Sequence, residues 1–195
     1  MSTNTKLSVV LPVRDHQHEI ASRVESVLEA LTGLTRELAE IVVVDDGSRD
    51  ATAEVLDELQ ARYPQVRVAR HSRPRGMEAA GQTGLERATG ELVFIQESDA
   101  AVRIEDLHRL LKMSEDVSIV AARAESTPRP LSPPLMRRLQ AWGAKAQQQL
   151  SPEPAESKSS LQMIRRPHLQ RLSGPAGRRY QLSGETMRST AIETV

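Results

Sequence analysis

Leu92-Val93-Phe94-Ile95-Gln96-Glu97-Ser98-Asp99 runs from four apolar residues into two acids spaced one apart. A short apolar run rich in β-branched and aromatic side chains reads as a strand buried on both faces, with the acids in the turn at its carboxyl end. Carboxylates on a rigid turn suit a hard divalent cation, Mg²⁺ or Mn²⁺, which a diphosphate can help to coordinate. An isolated acid-x-acid triplet is a common feature of solvated loops. Its place after a buried strand is what gives this one weight.

Working outward, the same pattern recurs upstream. Leu7-Ser8-Val9-Val10-Leu11-Pro12-Val13 is a nearly all-apolar strand, with Pro12 near its end where a lost ladder donor is tolerable. Ile20, Val24, Val27, Leu28 and Leu31 then lie on one face of a helix that Gly33 is expected to stop. Ile41 to Val44 forms a second buried strand running into Asp45-Asp46-Gly47-Ser48. Ser48 or Asp50 is expected to cap the helix carrying Val55, Leu56 and Leu59. Val66 and Val68 mark a third strand, and a helix over 78–88, ended by Gly90, leads back to the opening stretch.

Three strand–helix units predict a three-layer α/β/α fold around a mostly parallel sheet. Ligands of such sheets bind beyond the carboxyl ends of the strands. Pro12-Val13, Asp45-Asp46 and Glu97-Ser98-Asp99 all fall at those ends, so one sheet edge is the candidate site. Downstream the pattern predicts a helix over 104–112, a strand over 117–121, a proline-rich loop over 126–134, a helix over 135–150 and a late strand over 161–164. Pro167 is placed to open a short helix.

Composition narrows the class. The chain has 195 residues, no cysteine, and only Tyr63, Phe94, Trp142 and Tyr180 as aromatics. Disulfides and thiolate metal sites are excluded, and no aromatic platform exists for stacking nucleic-acid bases. Residues 1–120 carry 14 basic and 21 acidic side chains, while residues 121–195 carry 12 and 5. The acidic part can host a cation, and the basic part can meet an anionic acceptor or a membrane surface. There is no leader-like segment and no apolar run of spanning length, so the expectation is a cytoplasmic protein with peripheral membrane contact at most. One domain is expected over 1–195, in two parts: 1–125 and a shortened, basic 126–195.

These blocks resemble glycosyltransferase family 2, of the GT-A fold, and within it the dolichol-phosphate mannosyltransferase and polyprenyl-phosphate sugar transferase branch. The resemblance rests on Val9 to Val13, on Ile41 to Thr52, on Arg75-Gly76 with Ala79-Ala80 and Thr83-Gly84-Leu85, and on Gly90-Glu91 leading to Glu97-Ser98-Asp99. It continues more thinly through Val120 to Arg123, Glu156 to Arg166 and Tyr180 to Glu185. The resemblance implies a sugar transferase using a nucleoside-diphosphate sugar, a divalent cation (Mg²⁺ or Mn²⁺), and a lipid-phosphate or other phosphate or hydroxyl acceptor. It implies that Pro12, Val13, Arg14, Asp46, Gly47, Arg75, Gly76 and Ser98 surround the nucleotide, and that Glu97 and Asp99 hold the metal, with Asp99 foremost. Arg123, Arg137 and Arg138 would face donor or acceptor phosphate, and Glu185 would be the late acid available as a base.

Several residues depart from the family pattern. Arg14-Asp15-His16 stands where the family often has Tyr-Asn-Glu, Glu97 replaces the usual first Asp, Ala100 follows the triplet, and Met77 and Ser160 replace a common lysine and glycine. A second reading follows from these: a catalytically impaired nucleotide-binding or regulatory module on the same fold. A receiver-type signalling domain is rejected, because its acidic pair belongs after the first strand and here follows the second. His16 and His18 fall on different faces of a helix and read as exposed histidines rather than a metal pair.

Overall fold

The computed structural model describes residues 7–36, 38–97, 101–126, 159–166 and 186–188. Strands β1 (Leu7–Val13) and β2 (Ala39–Asp45) are buried almost throughout, as apolar runs in the middle of a parallel sheet must be. Around them lie α1 (Ile20–Leu34), α2 (Thr52–Arg62), β3 (Val66–Arg70), α3 (Met77–Arg87), β4 (Leu92–Gln96), α4 (Ile104–Met113), β5 (Ile119–Ser126), β6 (Ser159–Arg165) and β7 (Thr186–Arg188). The seven strands form one sheet in the order β3-β2-β1-β4-β6-β5-β7. β1 through β4 pair in parallel, whereas β6 lies antiparallel between β4 and β5, and β7 runs antiparallel to β5. Five strands therefore point the same way, and the sheet is mixed only beyond β4.

Side-chain alternation divides the core into two layers. Val9, Leu11, Val13, Ile41, Val43 and Phe94 pack with Ile20, Val24, Leu56 and Leu107 from α1, α2 and α4. Val10, Val42, Val44, Val93 and Ile95 face Ala80 and Leu85 of α3 on the other side. Close approach of α3 depends on Gly84, where a Cβ would lie 2.1 Å from Val10 Cγ1. β1 pairs with β4 only as far as Val10, so Pro12 lies past that ladder and costs it no donor.

Two boundaries and one strand differ from expectation. α1 continues through Gly33 to Leu34 and ends where Thr35 turns extended, so Gly33 does not stop it. β5 begins at Ile119, not Val117: the Asp116 carboxylate accepts from the Ser118 amide and hydroxyl, and this side-chain turn takes 116–118 out of the sheet. β7 was not anticipated. The expected helix over 135–150, the helix after Pro167 and the resembling stretch Tyr180 to Glu185 lie outside the described residues.

Candidate functional site at the carboxyl edge of the sheet

The loops after β1 and β2 are built as one unit. The Asp15 amide donates to Ser48 Oγ at 2.9 Å, the His16 amide to Thr52 Oγ1 at 2.8 Å and the Gln17 amide to Asp50 Oδ2 at 3.0 Å. In return the Arg49 amide donates to Asp15 Oδ1 at 2.7 Å and the Ala51 amide to Gln17 Oε1 at 2.8 Å. Asp15 sits at φ 55°, a conformation that aspartate tolerates better than most residues. Asp50 also accepts from the Thr52 amide, near the start of α2. Burial would raise the Asp50 carboxyl, but hydrogen bonds from Thr52 and Gln17 outweigh it and hold the group below its ordinary value. Thus Arg14-Asp15-His16, though unlike the family pattern, is tightly organised; the Arg14 guanidinium lies 3.4 Å from the Asp15 carboxylate.

The two adjacent aspartates do different things. Asp46 is fully buried and accepts three hydrogen bonds, from His71 Nδ1 at 2.7 Å and from the Arg75 and Gly76 amides at 2.8 and 2.7 Å. His71 Nε2 in turn lies 2.8 Å from Thr83 Oγ1 on α3. Burial alone would raise the Asp46 carboxyl, but these donors outweigh it and hold it below the ordinary aspartate value. Asp46 therefore ties the 71–76 loop to the end of β2. Gly47 lets that loop close: it sits at φ 70°, and a Cβ there would meet the Arg73 carbonyl carbon and Pro74 nitrogen at 2.9 Å. Asp45, the last residue of β2, uses Oδ1 to accept from the Ser48 amide and hydroxyl at 2.9 and 2.6 Å. Its second oxygen has no hydrogen-bond partner among the described residues.

β4 delivers Glu97 beside β6. The Glu97 amide donates to the Ser160 carbonyl at 2.9 Å. Its carboxylate is gripped by neighbours from two strands: Arg123 Nε and Nη2 reach Oε2 at 2.7 and 2.6 Å, Ser160 Oγ also donates to Oε2, and Gln162 Nε2 donates to Oε1. The strand register places these groups together, since Arg123 faces Gln162 across β5–β6 and Gln96 faces Leu161 across β4–β6. Leu11, Pro12, Val13 and Gln96 at the ends of β1 and β4, Ile20, Arg23 and Val27 of α1, and Ala101 and Val102 line a small recess between strand ends and helix.

The structure thus brings Pro12, Val13, Arg14, Asp46, Gly47, Arg75, Gly76, Glu97 and Arg123 to one edge of the sheet. Ser98, Asp99, Arg137, Arg138 and Glu185 lie outside the described residues. Sequence reasoning placed Asp45 at the candidate edge without a role of its own, named Ser160 only as a departure from the family pattern, and passed over His71 and Gln162. Asp45 stood inside the acidic motif, and Ser160 and Gln162 share one face of β6 at strand spacing, but nothing local links them to Glu97. As a cation holder the described residues do not suffice: no group of three His, Asp or Glu comes together among them, and Glu97, the acid of the turn that is described, is engaged by a guanidinium and two neutral donors. His16 and His18 likewise form no such group.

Comparison with known proteins accords with this architecture. The model of the family described as glycosyl transferase family 2 matches residues 8–172. A dolichol-phosphate mannosyltransferase of Pyrococcus furiosus is 32% identical over 119 residues, which is 60% of this chain and 32% of that protein. An undecaprenyl-phosphate 4-deoxy-4-formamido-L-arabinose transferase of Photorhabdus laumondii is 31% identical over 112 residues, or 56% of this chain and 34% of that protein. The chain spans about a third of the length of these curated relatives. A mannosyltransferase of Pyrobaculum calidifontis, solved with GDP-Man and Mn²⁺, superposes with a TM-score of 0.58 at 23% identity, covering 89% of this chain and 48% of that one, and shares its fold. With a family match running over most of its length and a mixed sheet ending in the acidic turns described above, the chain belongs to glycosyl transferase family 2.

Proposed function

We propose that this domain transfers a sugar from a nucleoside-diphosphate sugar to an acceptor, with a polyprenyl phosphate as the acceptor class. The observation that carries the reading is the gathering of two acidic strand ends and an arginine at the carboxyl edge of one sheet. The names of the relatives, which include dolichol- and undecaprenyl-phosphate sugar transferases, support the acceptor class. Pro12 and Val13 wall the base pocket and Arg14 stands at its rim. Asp45 accepts a hydrogen bond from base or ribose through its second oxygen, while Asp46 and Gly47 hold Arg75 and Gly76 beside the nucleotide. Ser98 is assigned to the nucleotide by its place in the Glu97-Ser98-Asp99 motif. Of the two acids there, Asp99 is assigned to a divalent cation, Mg²⁺ or Mn²⁺; Glu97 has its carboxylate committed elsewhere.

In the reaction the acceptor oxygen bonds to the anomeric carbon from the face opposite the leaving group. The bond from that carbon to the diphosphate oxygen breaks, the nucleoside diphosphate departs, and the configuration inverts. A phosphate acceptor is ionised at neutral pH and needs no proton removed, so the reaction runs without a general base. Glu185 has that role only toward a hydroxyl acceptor. Arg123, with Arg137 and Arg138, meets phosphate oxygens, where a guanidinium donates paired hydrogen bonds and offsets charge. No helix among the described residues is long and apolar enough to cross a membrane, and the basic 121–195 part supports peripheral contact at the cytoplasmic face.

The engaged Glu97 favours a second reading, a nucleotide-binding module without turnover. Calorimetric titration with GDP, UDP and their sugars, with and without Mn²⁺, followed by an assay for nucleoside diphosphate released in the presence of a polyprenyl phosphate, separates the two. Metal-dependent binding with turnover is expected. Binding without turnover moves the chain to the module, and absence of binding to every nucleotide removes both.

A further inference from the structure

We infer that Glu97 is a positioning residue for Arg123 and not a metal ligand, an inference that rests on the nucleotide-sugar reading of the site. Its place in the acid-x-acid turn would suggest a ligand. The geometry puts it to another use. Arg123 lies on β5 and Glu97 at the end of β4, with β6 between them. Bridging that strand takes two long side chains, and they meet at 2.6–2.7 Å through the Nε and Nη2 edge of the guanidinium.

The carboxylate is in turn fixed from β6 by Ser160 and Gln162, which are 8% and 4% exposed and donate to different oxygens. Ser160 Oγ also lies 3.0 Å from Arg123 Nε, so acid, hydroxyl and guanidinium form a closed triangle. Donors on both oxygens hold one carboxylate orientation, and a carboxylate so held fixes the plane of the guanidinium against it. The pair keeps 24% and 32% side-chain exposure at the edge where the phosphates are proposed to bind. A cation entering at Glu97 would have to displace this arginine or share its carboxylate at close range with a like charge, which is unfavourable. Glu97 thus aims Arg123 at an anion, and cation binding is left to other residues of the turn.

The test compares wild type with Glu97→Gln, Glu97→Asp, Arg123→Gln and the double variant Glu97→Gln/Arg123→Gln. Mn²⁺ affinity is read by electron paramagnetic resonance in the presence of GDP or UDP. Anion binding is read by cosedimentation with phosphatidylcholine vesicles carrying undecaprenyl phosphate. Glu97→Gln is expected to leave Mn²⁺ affinity within about threefold and to weaken vesicle binding about as much as Arg123→Gln, roughly fivefold to tenfold, with no further loss in the double variant. Glu97→Asp keeps the charge but falls short of Arg123, and is expected to behave like Glu97→Gln on vesicles. A tenfold or greater loss of Mn²⁺ affinity in Glu97→Gln that Glu97→Asp restores would overturn the inference while leaving the nucleotide-sugar reading intact. Failure of the wild type to bind either nucleotide would overturn both. If Glu97→Gln does not fold, Gln162→Leu, which removes one holder of the same carboxylate, must weaken vesicle binding without changing Mn²⁺ affinity; the opposite pattern contradicts the proposal.

Discussion

The two edges of the sheet both bury carboxylates, and they use them differently. At the amino edge Glu40, 6% exposed, accepts from Ser8 Oγ at 2.7 Å, from the Thr89 amide and hydroxyl at 2.6 and 2.8 Å, and from Arg67 at 3.1 Å. Burial would raise this carboxyl, but the donors outweigh it and hold it below the ordinary value. Ser8 passes the network on by accepting from the Gly90 amide. Every partner here belongs to a strand or to the turn between α3 and β4, so this acid staples the frame. At the carboxyl edge Asp46 works in the same way, but its neighbour Asp45 keeps an oxygen unengaged and Glu97 holds a partly exposed arginine. An acid whose acceptor sites are all filled by the frame is architecture; Asp45, though only 3% exposed, keeps one oxygen without a partner among the described residues.

The contrast can be broken at several points. Asp46→Ala strands His71 and two loop amides and should cost about 4 kcal/mol of stability, with nucleotide binding lost as the 71–76 loop releases; urea unfolding together with titration checks both. Glu40→Ala should cost about 3 kcal/mol by the same measure, yet leave nucleotide affinity of the folded protein within about twofold. If Glu40→Ala abolishes binding, the two edges are not separable. Gly47→Ala should cost about 2 kcal/mol, since the residue meets both a left-handed backbone and the Arg73–Pro74 peptide. Asp45→Asn keeps the acceptor that Ser48 uses, so stability should change by less than about 0.5 kcal/mol while nucleotide affinity falls about tenfold.

The smallest effect is that of acid. Asp46, Glu40 and Asp50 all have lowered folded values, so their contributions are complete above the ordinary carboxylate range, about pH 4, and disappear as pH falls through the lowered values. The urea midpoint should therefore drop below about pH 4, and the drop should shrink in Asp46→Asn.

The parallel half was legible because β1, β2 and β4 are apolar on both faces and each ends in polar residues that local spacing reveals. The insertion of β6 between β4 and β5 was not, since strand order beyond a loop is decided by pairing rather than by local pattern. The same limit applies to the site. Nothing in Asp45-Asp46-Gly47-Ser48 shows that a loop 25–30 residues away engages Asp46 rather than Asp45. Nothing local to Glu97 reveals its arginine, which comes from a strand two places across the sheet. Ser118 shows the limit at short range: a side-chain turn with Asp116 removed two residues from a strand that hydrophobicity alone would begin at Val117.

The central claim is that the carboxyl edge receives a nucleotide and the amino edge does not. Backbone amide shifts on titration with GDP and UDP in the presence of Mg²⁺ test it most directly. Shifts are expected at Val13, at 45–48, at 75–76 and at Glu97 and Arg123, with Ser8, Glu40 and Thr89 unmoved. Shifts gathered around Glu40, or none with either nucleotide, would contradict it.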